Sequence, residues 1–215
     1  MRLIIYDLDG TLVDTLDDIT QAANVMLRQM GRPPLSPAQV RPLIGHGVHD
    51  LVRRALDTVE PTRVEEGVKR FRAYYAQHFL DRSRLYPGAA EVLVYFRSRH
   101  QAIITNKPNP FSREILTGLG VAEYFVELIA GDSPHPKKPN PAAVHAVMAC
   151  CGVTPADTVF VGDSAIDVET GRNAGVLTVG VTHGFGDAQE LAAASPEAIV
   201  QNFQELLELA QRRGW

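Results

Sequence analysis

The sequence predicts an α/β fold, in which a doubly wound, mainly parallel sheet carries an inserted α-helical domain. Two observations support this prediction. Between residues 85 and 215, short apolar runs alternate with helical patterns, as in a parallel sheet with crossover helices. Between residues 15 and 84, after one apolar strand, only helical patterns occur. We therefore expect a core made of residues 1–14 and 85–215 and a helical insertion made of residues 15–84.

The first strand is the apolar run Leu3-Ile4-Ile5-Tyr6, which contains no charged residue and suits a strand buried on both faces. Apolar spacing then predicts four helices in the helical insertion, at residues 17–30, 37–44, 48–56 and 62–80. Ser36 is expected to cap the second of them, because Pro37 suits the first helical position and Gln39 can complete a capping box.

Helices and strands are expected to alternate through the rest of the chain. The predicted strands are residues 102–105, 127–130, 158–162, 177–181 and 198–200. The predicted helices are residues 89–99, 110–119, 141–151, 166–174, 188–194 and 203–213. Because the helices connect strands that run in the same direction, the carboxyl ends of most strands should meet at one edge of the sheet.

The composition is that of an ordinary globular protein, with 45% apolar and 21% charged residues. The net charge of −4 argues against a nucleic-acid binder, which needs a basic face. The apolar runs are short for a membrane span and the N-terminus shows no secretory leader, so we expect a cytoplasmic protein without membrane or nucleic-acid partners. The adjacent Cys150 and Cys151 are expected to pack in the core.

Polar side chains follow several predicted strands at their carboxyl ends, where ligands bind in open α/β sheets. The first strand leads into Asp7-Leu8-Asp9-Gly10-Thr11, the next into Thr105-Asn106-Lys107, and a later one into Asp163-Ser164, with Asp167 close behind. Between them, Lys137-Lys138-Pro139 precedes a helix. Four separate segments thus bring carboxylates, a hydroxyl and an ammonium to one edge of the sheet.

These segments, DLDGT at 7–11, IITN at 103–106, KPNP at 138–141 and GDSAID at 162–167, resemble in order the four motifs of the haloacid-dehalogenase-like hydrolases. The resemblance spans nearly the whole core. It implies a Rossmann-like catalytic core, with the helical insertion as a cap that determines substrate specificity. It also implies a magnesium-dependent phosphatase that acts on a small phosphomonoester.

The resemblance gives the two aspartates of the first motif distinct roles. Asp7 would attack phosphorus in line and form an aspartyl-phosphate intermediate. Asp9 would protonate the leaving oxygen and then activate the water that attacks the intermediate. Asp9 must therefore arrive protonated, which we expect from a crowd of carboxylates around it.

Phosphate binding is assigned by the same resemblance to three further residues. Lys138 would neutralise the phosphate oxygens and the nucleophile, while the Thr105 hydroxyl and the backbone N–H of Asn106 would bind a non-bridging oxygen. Lys137 is the alternative lysine. The lysine of the family directly precedes proline, which favours Lys138.

Mg²⁺ is the implied cofactor, because it prefers oxygen ligands and keeps several of its waters. Its expected protein ligands are Asp7, the backbone carbonyl of Asp9, and Asp163. Asp167 is expected to hold a metal-bound water. The seven histidines show no paired ligand spacing, so a zinc site is not expected.

The stretch IGHGVHDLVRRAL at residues 44–56 looks most like the specificity region of bacterial phosphoglycolate phosphatases, and 2-phosphoglycolate is the expected substrate. Gly45 and Gly47 would let the backbone approach a small ligand, and His46 or Arg53 could meet its carboxylate. The alternative is that Gly45 only ends a helix and that His46 is solvated.

Other activities stay open at this point. The substrate could be a sugar or amino-sugar phosphate, and a phosphomutase is a further alternative, although the loop at residues 43–48 lacks the basic residue that would grip a second phosphate. A catalytically weak regulatory or binding module is the alternative of a different class. The expected assembly is a monomer or a homodimer, with the small phosphomonoester as its only partner.

Overall fold

The computed structural model describes all 215 residues of the chain. Its strands are β1 (Leu3–Tyr6), β2 (Val13–Asp14), β3 (Arg84–Leu85), β4 (His100–Ile104), β5 (Glu127–Ile129), β6 (Thr158–Gly162), β7 (Leu177–Val181) and β8 (Ala198–Val200). Its helices are α1 (Leu16–Gln29), α2 (Pro37–Val40), α3 (Val48–Leu56), α4 (Pro61–His78), α5 (Ala89–Tyr95), α6 (Phe111–Gly118), α7 (Ala142–Cys151), α8 (Ala165–Asn173), α9 (Ala188–Ala193) and α10 (Phe203–Arg213). No helix is both long enough and apolar enough to span a bilayer.

Six strands form one parallel sheet in the order β5-β4-β1-β6-β7-β8. In the middle of the sheet, Tyr6 of β1 is opposite Ile103 of β4 on one side and Val161 of β6 on the other. The chain segments that follow these three strands therefore lie side by side at the same edge. This edge is where the polar motifs of the sequence meet.

Alternate residues of β1 face opposite sides of the sheet. Ile4 and Tyr6 belong to an apolar core that includes Val92 of α5 and Phe203 of α10. Leu3 and Ile5 belong to a second core that includes Val144 of α7. Helices thus cover both faces, and the predicted doubly wound sheet is confirmed.

Helices α1 to α4 form the helical insertion and have an apolar core of their own. This core contains Met26 of α1, Val52 of α3 and Phe71 of α4. Phe111, at the start of α6, is also part of it, so the insertion packs directly on the edge of the sheet. As predicted, Ser36 precedes α2, and Gln39 Oε1 accepts a hydrogen bond of 2.9 Å from its N–H.

A short antiparallel ribbon joins the helical insertion to the core, which the sequence pattern did not predict. Asp14 of β2 pairs with Arg84 of β3, and their side chains form an ion pair of 2.8 Å. Each strand has two residues, too few for a periodic pattern to be visible. The ribbon occupies the two crossings between core and insertion.

The bounds of the core elements lie within two residues of the predicted ones except for α5, and the two cysteines also differ from the prediction. Helix α5 ends at Tyr95 instead of residue 99, because β4 begins at His100, where the chain pairs with Leu3. Cys150 is exposed and Cys151 is half-buried, so the expectation that both pack in the core was wrong. Helix α7 is apolar apart from His145, yet it buries only the face that includes Val144.

Candidate active site

Three buried carboxylates meet where β1 and β6 end. Asp7 extends the ladder of β1, since its N–H donates a hydrogen bond of 3.0 Å to the carbonyl oxygen of Val161. One carboxylate oxygen from each of Asp7, Asp163 and Asp167 lies within 4.8 Å of the others. All three residues are at most 7% exposed. So much negative charge, buried in so little space, requires cations or protons to balance it.

Lys138 supplies one cation to this cluster. Its Nζ lies 2.8 Å from Asp7 Oδ1 and donates a hydrogen bond of 2.6 Å to Asp167 Oδ1. The Lys138 N–H in turn donates a hydrogen bond of 3.0 Å to Asn106 Oδ1, which positions the lysine from the neighbouring strand end. Lys137, the alternative in the sequence, extends elsewhere, toward Gly47 in the helical insertion.

The other two carboxylates are held by fixed donors. Asp163 accepts hydrogen bonds from Thr11 Oγ1 at 2.7 Å, from the Phe185 N–H at 2.7 Å and from the Gly186 N–H at 3.0 Å. Asp167 Oδ2 accepts from the hydroxyl and the N–H of Ser164, which is the capping box of α8. These donors orient both side chains toward Asp7.

Gly10 is required by this arrangement. Its φ of +86° lies in the left-handed region, and a Cβ placed there would lie 2.6 Å from Asp163 Oδ2. The turn that follows Asp9 thus brings backbone into direct contact with the carboxylate cluster. No other residue fits without moving Asp163.

The electrostatics of the cluster follow from its burial. Burial raises the pKa of Asp7 to about 7, against the effect of the Lys138 ammonium and with the help of Asp167 and Asp163. Burial and the charge of Asp167 raise the pKa of Asp163 to about 6, although the hydrogen bond from Thr11 opposes this. Burial alone would lower the pKa of Lys138, but Asp167 and Asp7 reverse that effect and hold its pKa above the ordinary value.

The cluster is suited to a hard divalent cation. Asp7 Oδ1 is buried and accepts no aligned hydrogen bond, despite its ion pair with Lys138, so it keeps lone-pair capacity for a cation. The potential metal-ligand atoms of the cluster are all carboxylate oxygens, the type that Mg²⁺ prefers. The residues that could hold such an ion are Asp7, Asp163 and Asp167. Asp167, which was expected to hold a metal-bound water, belongs to the same cluster as the other two carboxylates.

Asp9 lies outside the carboxylate cluster and has different neighbours. Lys107 Nζ donates to Asp9 Oδ1 at 3.0 Å and is 3.2 Å from Oδ2, while Thr15 Oγ1 donates to Oδ1 at 2.7 Å. The expected crowd of carboxylates surrounds Asp7 instead of Asp9, so the prediction of its neighbours was wrong. The reason is the Gly10 turn, which sends Asp9 toward the strand end of β4.

Beside the contact at Phe111, a cavity lies between the helical insertion and the edge of the sheet. Its core side includes Asp7, Asp9, Thr105 and Asn106, and its insertion side includes Gly45, Gly47, Leu51, Arg72 and Tyr75. A wider cleft shares Asp7, Asp9 and Gly45 and adds His46, Arg41 and Asp163. The two openings are thus parts of one space around the pair of aspartates that follows β1.

Only some of the insertion residues that were predicted to bind substrate lie at the cavity. Gly45 and Gly47 line the cavity, and the Gly45 carbonyl accepts a hydrogen bond of 2.9 Å from Asn106 Nδ2. His46 lines only the wider cleft. Arg53 lines neither opening and donates a hydrogen bond of 2.7 Å to Asp50, so it does not reach the site.

Four residues at the site had no role in the sequence prediction. Lys107 had a signal, because it directly follows Thr105 and Asn106 at a strand end. Tyr75 and Arg72 lie on α4, and Arg41 directly follows α2. Nothing in the apolar spacing of the insertion distinguishes a residue that faces the cavity from one that faces solvent. Arg72 lines the cavity, and its guanidinium forms no ion pair or hydrogen bond with another residue of the chain.

Comparisons with known proteins agree with this geometry. The haloacid dehalogenase-like hydrolase family matches residues 4–181. A phosphoglycolate phosphatase of Pseudomonas putida is 37% identical over 214 residues, which cover 96% of this chain and 78% of that protein. A phosphoglycolate phosphatase of Vibrio parahaemolyticus is 36% identical over 222 residues, covering 97% of this chain and 96% of that protein.

Solved structures have the same fold. A crystal structure described as a predicted phosphoglycolate phosphatase from Haemophilus somnus superposes with a TM-score of 0.92 at 31% identity and covers 98% of both chains. A structure described as a putative phosphoglycolate phosphatase from Lactobacillus delbrueckii gives a TM-score of 0.90 at 27% identity and covers 97% of both chains. The similarity therefore includes the helical insertion as well as the sheet.

Proposed function

This chain belongs to the haloacid dehalogenase-like hydrolase family and is a phosphoric monoester hydrolase, and we propose that it hydrolyses 2-phosphoglycolate with Mg²⁺ through an aspartyl-phosphate on Asp7. One observation carries the proposal. The Asp7 carboxylate lies 2.8 Å from Lys138 Nζ and next to the Asp163 and Asp167 carboxylates, and it lines the cavity. A phosphoryl group that approaches Asp7 would meet a fixed cation there.

In the first step, an oxygen of Asp7 attacks phosphorus while the bond to the leaving oxygen breaks. Asp9 lines the same cavity and, in its protonated form, supplies the proton that the leaving oxygen takes. The Lys138 ammonium balances the negative charge of the phosphoryl oxygens. The Thr105 hydroxyl and the backbone N–H of Asn106, on the core wall of the cavity, would donate hydrogen bonds to the same oxygens.

In the second step, water attacks phosphorus and the bond between phosphorus and Asp7 breaks, which releases inorganic phosphate. Asp9 takes the proton of the attacking water and returns to its starting state. The same carboxyl group thus acts as acid and then as base, so the cycle has no net change in protonation.

Mg²⁺, held by Asp7, Asp163 and Asp167 with the backbone carbonyl of Asp9 as a further ligand, would stabilise the charge of the transferring phosphoryl group. Without a divalent cation, burial and the repulsion from neighbouring carboxylates raise the pKa values of Asp7 and Asp163. A divalent ion would relieve this repulsion and keep Asp7 ionised, which its role as nucleophile requires.

The choice of 2-phosphoglycolate is supported by two kinds of observation. The named relatives with over 35% identity are phosphoglycolate phosphatases. In addition, the cavity is bounded by the Gly45 and Gly47 backbone and by the Leu51 side chain, which leaves space for a small ligand, and Arg72 provides a cation for a substrate carboxylate.

The test is phosphate release from 2-phosphoglycolate by the purified protein with Mg²⁺, then with excess EDTA, then with Mg²⁺ restored. We expect release only when Mg²⁺ is present. Asp7→Asn should lower kcat by about 10⁴-fold or more, since it removes the nucleophile. Asp57→Asn changes an exposed aspartate of the helical insertion and should keep wild-type activity.

A panel of glucose 6-phosphate, glucosamine 6-phosphate and AMP decides the substrate class. A higher kcat/KM for one of these esters than for 2-phosphoglycolate would change the proposed substrate but not the proposed phosphatase activity. Conversion of a sugar phosphate to its isomer without phosphate release would indicate a phosphomutase, and inactivity toward every ester would indicate a binding module. The cytoplasmic location and the monomeric or homodimeric state stay predictions.

A further inference from the structure

Lys107 contacts both parts of the molecule where the helical insertion meets the sheet edge. Its Nζ lies 3.0 and 3.2 Å from the two carboxylate oxygens of Asp9 and 2.8 Å from the hydroxyl of Tyr75 on α4. The ammonium also lies 4.8 Å from the centroid of the Tyr75 ring. Asp9 and Tyr75 belong to different parts of the chain, and Lys107 is the group between them.

The contacts satisfy the lysine completely. An ammonium has three N–H donors, and Lys107 has three acceptors, two on Asp9 and one on Tyr75. Its side chain is only 6% exposed. Taking an ammonium out of water costs several kcal/mol unless good partners replace the water. The chain therefore holds this cation in one defined position instead of leaving it mobile at the surface.

Asp9 is confined by the same contacts. Lys107 engages both of its oxygens, and Thr15 Oγ1 also donates to Oδ1, at 2.7 Å. A carboxyl group that must transfer a proton to one defined oxygen works only from a narrow range of orientations. Removing the lysine would leave the Thr15 hydroxyl as its one remaining side-chain donor.

We propose, on the basis of the proposed function, that Lys107 is a positioning residue that orients the carboxyl group of Asp9 for proton transfer and is itself held by the Tyr75 hydroxyl. The helical insertion thus contributes to the reaction through a hydrogen bond to a core lysine, as well as by enclosing the substrate. Lys107 acts through Asp9, so its removal should matter only while Asp9 can transfer protons.

A mutant cycle tests this relationship with p-nitrophenyl phosphate as the probe. The p-nitrophenolate leaving group departs without protonation, so the first step does not need Asp9 and the rate of Asp9→Asn stays measurable. The second step still needs Asp9 as the base that activates water. Lys107→Met should lower kcat by about 10²-fold and change KM by less than about 3-fold, because the lysine orients the acid and base and does not bind phosphate. In the Asp9→Asn background, Lys107→Met should lower kcat by less than about 2-fold.

Tyr75→Phe removes a single oxygen atom and provides a second test if Lys107→Met does not fold. It should lower kcat by about 10-fold in the wild-type background and by less than about 2-fold in the Asp9→Asn background. Lys69→Met and Tyr74→Phe, both on α4, are matched controls that should keep the wild-type kcat.

Equal losses from Lys107→Met or Tyr75→Phe in the wild-type and Asp9→Asn backgrounds would overturn the positioning role and leave the phosphatase intact, because the lysine would then act independently of Asp9. A loss that appears in KM alone would also overturn it. If the wild-type protein hydrolysed the ester no faster than Asp7→Asn, the proposed function would be overturned, and the positioning role of Lys107 with it.

Discussion

Arg41 of the helical insertion donates a hydrogen bond of 3.0 Å from Nε to the carbonyl oxygen of Phe185, and the N–H of Phe185 holds Asp163 at 2.7 Å. A second guanidinium nitrogen of Arg41 donates to the carbonyl of Gly184. The loop that orients a carboxylate of the proposed metal site is therefore fixed by a residue of the helical insertion. The Arg41 contact thus connects the helical insertion, which encloses the substrate cavity, to the proposed metal site.

Removal of this arginine should weaken metal binding. Arg41→Met is expected to raise the Mg²⁺ concentration for half-maximal activity by about 10-fold, because groups that orient metal ligands typically contribute this much to affinity. The rise in melting temperature caused by Mg²⁺ should need a similarly higher concentration. Arg54→Met, which removes a hydrogen bond to Pro42 within the insertion, is the control. An unchanged Mg²⁺ dependence would show that the loop is rigid without Arg41.

Arg72 should determine the preference for a carboxylate-bearing substrate. It is a cation that lines the cavity without a partner in the chain. Arg72→Met is expected to lower kcat/KM for 2-phosphoglycolate by about 10- to 100-fold, the usual range for a hydrogen bond to a charged group. The kcat/KM for ethyl phosphate, which has no carboxylate, should stay within about 2-fold of wild type.

The control for this prediction is Arg53→Met, because Arg53 pairs with Asp50 and lines neither opening of the site. If Arg53→Met lowered the selectivity and Arg72→Met did not, the expectation from the sequence would be right and the assignment to Arg72 wrong. Equal losses for both esters in Arg72→Met would indicate a general effect on the helical insertion.

The two neighbouring lysines should differ sharply in their effect on stability. Lys138→Met leaves the buried carboxylates of Asp7 and Asp167 without their cation and should lower the free energy of unfolding of the metal-free protein by about 3–5 kcal/mol. Lys137→Met should have an effect within about 0.5 kcal/mol, as for other surface substitutions. Urea unfolding in EDTA measures both. A larger loss for Lys137→Met than for Lys138→Met would show that Lys138 is not the lysine that balances the buried carboxylates.

The stability of the metal-free protein should fall as the pH rises from about 4 to about 7. The pKa of Asp163 is raised to about 6 and that of Asp7 to about 7, mainly by burial, so the folded state binds protons that the unfolded chain has already released. Each pKa unit corresponds to about 1.4 kcal/mol, and a change of a few kcal/mol is expected over this range. Saturating Mg²⁺ should reverse the trend, because the ion competes with protons for the carboxylates.

Urea unfolding at several pH values in EDTA measures this dependence. His183 has the opposite effect on stability. Because burial lowers the pKa of the His183 imidazole, the contribution of this residue to the free energy of unfolding grows as the pH rises. The difference between wild type and Asp163→Asn isolates the carboxylate, and the pH dependence of the variant should be flatter. Asp57→Asn, at an exposed position, should follow the wild type. A wild type that is most stable at pH 7 in EDTA would contradict the prediction.

Much of the fold could be predicted from local patterns. The bounds predicted for α3, β6, β7, β8 and α10 agree with the structure. The ribbon of β2 and β3 could not be predicted, because Asp14 and Arg84 are far apart in the chain and each strand has two residues. Only the return of the chain from the helical insertion brings them together.

The sequence by itself determined the parallel sheet, the position of the helical insertion and the polar groups at the strand ends, because periodicity and strand order place those groups at one edge. The tertiary structure decided which of them touch. It paired Lys138 with Asp7 and Asp167, gave Asp9 a lysine for a neighbour instead of carboxylates, and aimed Arg72 at the cavity while Arg53 faces away. Such contacts depend on the rotation of each helix and the direction of each turn, which are set by packing across the whole chain.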